Sequence, residues 1–319
     1  MIIITGGAGF IGTNTLIALN DRGQDDIVVV DNIGATNKWK NLVGRSFRQY
    51  VHKELLWSWL EQHKGENIEA VIHLGACSDT MEQDFDYLAQ NNVIYSQKLW
   101  QFCAQKQIPF IYASSAATYG DGALGFSDDH EKTPQYKPIN PYGYSKHLFD
   151  LWALKQISTP AKWYGLKFFN VYGPYENGKG PMASVAHFAI PQARRDGKIR
   201  LFKSYRSQYA DGDQKRDFVY VQDAIDILMY LLNTSVPNGI YNAGTGNART
   251  FNQLADAIFK AMDKPVDIEY FDMPDSLKNS YQYFTEADMA KLISTPYAYR
   301  PKSLAEGIAA YVKWWFENQ

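Results

Sequence analysis

The chain has 319 residues, enough to bury a full core as one large domain or two coupled ones. Its formal net charge of −2 gives no electrostatic case for nucleic acid or an anionic membrane surface. Only Cys77 and Cys103 occur, with neither metal-ligand spacing nor a disulfide framework, and the short N-terminal apolar run suits neither a signal peptide nor a membrane span, so the expectation is a metal-free cytoplasmic protein.

Ile2, Ile3 and Ile4 predict a short buried strand. Thr5-Gly6-Gly7-Ala8-Gly9-Phe10-Ile11-Gly12 predicts a glycine-rich turn, opening onto a helix over 13–22 with Leu16, Ile17 and Leu19 as its apolar residues. Strand, turn and helix in that order bring backbone N–H groups at a helix N-terminus to a pyrophosphate. Gly6 and Gly9 are expected to clear the ligand's approach, and Gly12 to let helix and strand pack closely. The spacing is G-x-x-G-x-x-G, and three glycines alone say little. The second strand, 27–30, however, ends in Asp31, 19 residues beyond Gly12, where an acid meets an adenosine ribose. A dinucleotide is the expected ligand.

Further apolar runs at 70–73, 110–113 and 163–169, with helical patterns between them, predict right-handed crossovers and a doubly wound parallel sheet. Pro109 and Pro141 mark boundaries, the second opening a helix over 142–157. After about residue 170 the texture turns irregular, with a helix over 183–195 and a polar run over 204–214, before the chain returns to the first lobe around 218–241. This divides it into a dinucleotide-binding domain, 1–169 and 217–243, and a smaller mixed α/β substrate lobe, 170–216 and 244–319. The last helix, 304–316, carries Ile308, Tyr311, Val312 and Trp315 at core spacing. Ligands of such sheets bind beyond the carboxyl ends of the strands, which directs attention to 6–12, 31–40, 74–80, 114–119 and 170–179.

Tyr142 and Lys146 stand four apart on the helix after Pro141, hence on one face. A nearby ammonium and a cationic nicotinamide ring both favour the phenolate, so Tyr142 would exchange a proton with a substrate hydroxyl. A second Tyr-x-x-x-Lys pair, Tyr175 and Lys179, spans Gly178 and is not expected to be helical. Ser114 or Ser115, after the fourth strand, can order the reacting oxygen, although each serine is also read as a local cap.

Thr5-Gly6-x-x-Gly9-x-x-Gly12, Ser115, Tyr142-x-x-x-Lys146 and Arg216-Asp217-Phe218-Val219-Tyr220-Val221-x-Asp223 together resemble the extended short-chain dehydrogenase/reductases, a Rossmann-type family acting on nucleotide sugars. Asp31-Asn32, Lys38, Gly75-Ala76-Cys77-Ser78, Phe169-Asn170-Val171-Tyr172-Gly173-Pro174, Lys179-Gly180-x-Met182-Ala183-Ser184 and Tyr281-Gln282-x-Phe284-Thr285 resemble its ADP-heptose 6-epimerising branch. The resemblance implies transient oxidation of carbon 6 and re-reduction from the opposite face, with Tyr142 and Lys179 as the two proton handlers beside Lys146 and Ser115. It implies dinucleotide contacts at Gly6, Gly9, Phe10, Ile11, Gly12, Asp31, Asn32, Lys38, Lys53, Leu74, Gly75, Ala76, Cys77, Ser78, Asn91, Lys146 and Val171. It places Ser115, Asn170, Lys179, Pro181, Phe188, Phe202, Arg216 and Tyr281 around the ADP-heptose, with Arg216 on the diphosphate; Arg216 alone would equally suit Asp213 or Asp217 as a partner.

Asp31 by itself argues for NAD, since a carboxylate repels a 2′-phosphate, whereas Lys38 offsets that repulsion and in this branch goes with NADP. The resemblance further implies a homo-oligomer, of five subunits. The chain has Pro181 where the branch has a serine, Phe188 where it has a histidine (His187 lies one place earlier), a longer 205–214 segment, and Asn279-Ser280 in place of Gly-Arg. Another nucleotide-sugar 4-epimerase or a 4,6-dehydratase is the alternative, and Ala116-Ala117 after Ser115 speaks against the dehydratase.

Overall fold

The computed structural model describes residues 1–278 and 281–318. The aliphatic runs form β1 (Ile2–Thr5), β2 (Ile27–Asp31), β4 (Ala70–His73), β5 (Phe110–Ser115) and β6 (Trp163–Phe168), and between the second and fourth lies β3 (Gln49–His52). β3 had no counterpart in the sequence reading because only Val51 of its four residues is buried, so the apolar run that marks the others is missing. β7 (Asn170–Tyr172), β8 (Ile199–Phe202), β9 (Lys215–Arg216) and β10 (Phe218–Tyr220) lie outside the main sheet, which β11 (Gly239–Ala243) completes.

The seven parallel strands run in the order β11-β6-β5-β4-β1-β2-β3. Side chains alternate between two cores. Ile2, Ile4, Ile27 and Val29 pack with the helices Phe10–Asn20 and Val221–Asn233, whereas Ile3, Val28 and Val30 pack with Leu56–Gln62, Tyr95–Lys106 and Pro141–Ala153. Helices on both faces make the sheet doubly wound, as expected. From β1 the chain proceeds toward β3 and from β4 toward β11, so the strand order reverses between β1 and β4, and the glycine turn sits at that switch point.

A third core lies in the second lobe, where Ile190, Ile199, Leu254, Ile258, Phe259 and Ile308 are buried among the helices Val185–Asp196, Phe251–Ala261 and Leu304–Glu317. Three two-stranded ribbons attach here, β10 with β7, β12 (Arg249–Thr250) with β9 and β13 (Ile268–Phe271) with β8, the middle one antiparallel.

Several expected boundaries move for local reasons. The first helix starts at Phe10 rather than 13, with Gly12, a poor helix former, in its first turn. The helix after Pro141 ends at Ala153, not 157: Asn140 caps its start by accepting from Gly143 N at 2.7 Å, and the apolar Ile157 that suggested a longer helix is fully exposed. Residues 176–182 form a 3-10 turn kinked at Gly180, where no helix was expected.

Gly12 meets its expected role: a Cβ there would lie 2.1 Å from Gly6 O and 2.7 Å from Gly7 Cα. Gly6 is also required by a protein contact: at φ +68° its Cβ would sit 2.6 Å from Gly75 N, so the glycine lets the turn close on the loop after β4. Gly12→Ala forces apart the turn and its helix, and is expected to cost about 3 kcal/mol, read as a lowered urea midpoint, together with weakened dinucleotide binding.

Candidate active site

A cavity of about 940 Å³ opens beyond the carboxyl ends of β1, β2, β4, β5 and β6. Every residue expected to touch a dinucleotide lines it: Gly6, Gly9, Phe10, Ile11, Gly12, Asp31, Asn32, Lys38, Lys53, Leu74, Gly75, Ala76, Cys77, Ser78, Asn91, Lys146 and Val171. The helix Phe10–Asn20 has Gly9 as its N-cap and no side-chain cap, which leaves its leading N–H groups to an anion. A Cβ on Gly9 would meet only Gly6 O, at 3.1 Å, so this glycine borders open space. A cradle with that shape and donor set fits a dinucleotide pyrophosphate.

At the far end of the turn, Asp31 is buried and accepts from Ala8 N at 2.9 Å and Asn32 N at 2.7 Å. Lys38 Nζ reaches it at 2.6 Å and also donates to Asn32 O at 2.7 Å. The carboxylate expected to select a ribose diol is therefore paired with a cation. Lys53 donates to Asn91 Oδ1 at 2.6 Å in the same wall.

Sequence reasoning missed a polar chain beneath this wall. Ser96 Oγ donates to Asn92 O at 2.7 Å, so its 2.8 Å contact with His73 Nε2 requires that nitrogen to carry the proton. His73 Nδ1 then accepts from Thr5 Oγ1 at 2.6 Å, and Thr5 Oγ1 accepts from Gly75 N at 3.1 Å. Asn92 clamps Cys77 through its N and O, at 2.8 and 3.0 Å, and donates to Ser145 Oγ at 2.9 Å; Ser145 in turn donates to Tyr142 O at 2.7 Å. Asn92 sits in a π-helical turn, Ala89–Ile94, a local widening common at functional sites. The chain thus links the turn, β4, the 74–78 loop and the helix bearing Tyr142.

Ser115 ends β5 and accepts from Ala117 N at 3.1 Å, so the local-cap reading of this serine holds as well. A Cβ on Gly143 would lie 2.7 Å from Ala117 O, which is how Tyr142 is brought against the Ser115 turn. Ser115, Tyr142, Lys146 and Lys179 all line the cavity. Lys146 Nζ donates to Ala113 O at 2.9 Å, and burial pulls its pKa down to about 8. For Tyr142 the sequence reading favoured the phenolate, but desolvation pushes its pKa up, and the neighbouring Ser115 hydroxyl opposes that only in part. Ser114 also borders the cavity, but its hydroxyl donates to Asp150 Oδ2 at 2.7 Å.

From the second lobe, Asn170, Pro181 and Tyr281 also line the cavity. Lys179 Nζ lies 5.2 Å from the Phe10 ring centroid, and burial lowers its pKa. Three expected substrate contacts do not line the cavity. Phe188 is 43% exposed on its helix, Phe202 packs against Phe271 and Tyr281, and Arg216 stands behind Tyr281 and Phe251 with its guanidinium 5.0 and 5.7 Å from their rings. His187 faces Tyr311, Nδ1 to hydroxyl 3.1 Å.

Among the described residues no carboxylate pairs with Arg216. Asp217, one of its expected alternatives, instead accepts from Thr245 N and Oγ1, Gly246 N and Ala287 N at 2.6 to 2.9 Å. Asn279 and Ser280 lie outside the described residues. Among the described residues no cluster of three metal-ligating side chains occurs, and no helix is long and apolar enough to cross a membrane.

Residues 2–244 match the NAD dependent epimerase/dehydratase family. The ADP-L-glycero-D-manno-heptose-6-epimerase of Fusobacterium nucleatum is 48% identical over 322 residues, 98% of this chain and 97% of that protein. That of Nitratidesulfovibrio vulgaris is 49% identical over 314 residues, with the same coverage. The Helicobacter pylori ADP-L-glycero-D-manno-heptose-6-epimerase structure superposes with a TM-score of 0.81 at 27% identity, covering 98% of this chain and 94% of that one.

The His73 ring gives a stability test. Burial holds its pKa at about 3, below the ordinary 6.5. As the pH falls below 6.5 the unfolded chain takes up a proton that the folded one refuses, so stability is lost progressively down to about 3. Urea unfolding between about pH 7 and 4 is expected to show a steeper loss for the native chain than for His73→Asn.

Proposed function

This chain belongs to the NAD dependent epimerase/dehydratase family, and from that premise we propose that it is an ADP-glyceromanno-heptose 6-epimerase, inverting carbon 6 of the ADP-linked heptose. The observation that carries the reading is that Tyr142, from the sheet lobe, and Lys179, from the segment after β7, line one cavity together with the dinucleotide turn. Inversion at one carbon needs a proton handled on each face, and two such groups from two lobes supply that.

A nicotinamide dinucleotide held along the glycine turn and the 74–78 loop would supply the redox chemistry, as hydride acceptor and donor at carbon 6. Tyr142 takes or gives the hydroxyl proton on one face, with the Ser115 hydroxyl ordering the same oxygen and the Lys146 ammonium favouring the phenolate. Lys179 does so on the other face; its lowered pKa brings its free amine nearer to neutrality. Arg216, buried and without a carboxylate partner among the described residues, is the cation available to the sugar diphosphate. Its route runs past Tyr281 and Phe251, whose rings line the cavity between them.

The dinucleotide is NADP, with NAD bound more weakly. The pairing of Asp31 with Lys38 supports this, because it removes the uncompensated negative charge that would repel a 2′-phosphate. The reading extends to the division into 1–169 with 217–243 and 170–216 with 244–319, supported by the separate core of the second lobe. It extends also to a cytoplasmic homo-oligomer, five subunits by family resemblance.

The purified chain with NADP is expected to interconvert the two ADP-heptose epimers, with Tyr142→Phe and Lys179→Met each lowering turnover about 10²- to 10⁴-fold while NADP still binds. Failure of the native chain to do so while it processes a UDP- or dTDP-sugar overturns the substrate assignment. Lys38→Ala is expected to raise the Kd for NADP about tenfold or more relative to that for NAD, by calorimetric titration of both dinucleotides.

A further inference from the structure

We infer that Glu176 is a positioning residue for Lys179: its carboxylate fastens both ends of the segment that carries the lysine and puts an acid on that same segment. The inference rests on the role proposed for Lys179 above.

Glu176 is fully buried. Its Oε1 accepts from Gly173 N at 2.9 Å and Ser184 Oγ at 2.7 Å, and its Oε2 accepts from Ser184 N at 2.6 Å. Gly173 directly follows β7 and Ser184 is the N-cap of the helix Val185–Asp196, so one side chain bridges the two regular elements between which Lys179 hangs. The intervening backbone is irregular: Tyr175 is left-handed at φ +72° and Gly180 breaks the 3-10 turn at φ +52°. The bridge spans that break.

Charge gives a second reason for an acid at this position. Three donors converge on the carboxylate, and no cation lies within ion-pair distance of it among the described residues. The groups that feel it are Lys179 on its own segment, His187 on the next helix and Tyr311 on the last helix. Burial pulls the Lys179 pKa down and Glu176 opposes that in part, so the carboxylate favours the ammonium against its desolvation. An apolar plug could close the segment but could not supply this balance.

The test compares native chain, Glu176→Gln, Glu176→Asp, Ser184→Ala and Lys179→Met, each loaded with NADP and assayed in both directions across pH. Glu176→Gln is expected to bind NADP within about twofold of native, to lose about ten- to a hundredfold in turnover, and to move one limb of each profile down by about half a unit or more. Glu176→Asp, which keeps the charge and shortens the reach, should return the limb to its native position while turnover stays reduced. Ser184→Ala, which also keeps the charge, should lower turnover without moving a limb, and this pair carries the test if the glutamine variant does not fold. If Lys179→Met is inactive but Glu176→Gln has native turnover and unmoved limbs, or the charge-keeping variants move the limb, the inference is overturned while the role of Lys179 stands. Native turnover in Lys179→Met overturns that role itself.

Discussion

A carboxylate and an ammonium with no exposed surface lie 3.0 Å apart in the middle of the sheet lobe, Asp150 on the helix after Pro141 and Lys167 on β6. Taking two charges out of water is unfavourable unless their remaining hydrogen-bonding sites are filled, and here they are. Asp150 also accepts from Tyr112 and Ser114 of β5, at 3.0 and 2.7 Å. Lys167 donates to Thr118 at 2.5 Å and sits over the Tyr119 ring, whose hydroxyl donates to Asn242 of β11 at 2.6 Å. Three strands, one helix and the 116–119 turn are thereby fixed to one another. Ser115 caps that turn, and Lys146 lies one helical turn before Asp150, so both of these cavity residues inherit their placement from this pair.

The second lobe is joined by similar means but to a different end. Asp217, fully buried, gathers donors from residues 245, 246 and 287 and so pins the chain where it returns to the sheet. Its neighbour Arg216 is denied that carboxylate. Two adjacent residues of opposite charge, which on sequence grounds look like partners, are separated by the strand geometry: one knits the lobes together, the other is held in reserve behind two aromatic rings.

What was legible in the sequence follows from what kind of signal each part emits. Fully buried parallel strands read as aliphatic runs, and the glycine turn reads by its spacing and by Asp31; β3, half-exposed at the sheet edge, emits neither signal. Tyr142 and Lys146 are four apart on one helix, so their common face follows from helical geometry. Lys179 does not lie in such a helix with Tyr142, and only family resemblance drew attention to it. Thr5, His73, Asn92 and Ser145 were invisible because they are scattered along the chain and are brought together by parallel pairing and a π-turn. Glu176 was invisible for a related reason: a glutamate in a glycine-rich segment reads as a solvated charge until the backbone folds over it. Phe188 is exposed rather than in the cavity because helical rotation decides which of two adjacent residues faces inward.

The segment between Gly173 and Ser184 is also fastened to the sheet lobe. Asn14 donates to Pro174 O at 3.0 Å, Arg45 to the Tyr175 hydroxyl at 2.6 Å, and Gly178 lies so close to Lys38 that a Cβ there would be 2.8 Å from its Cγ. The stretch that carries Lys179 thereby rests on Lys38, the partner of Asp31, so a side chain added at residue 178 would disturb both ends of the cavity at once.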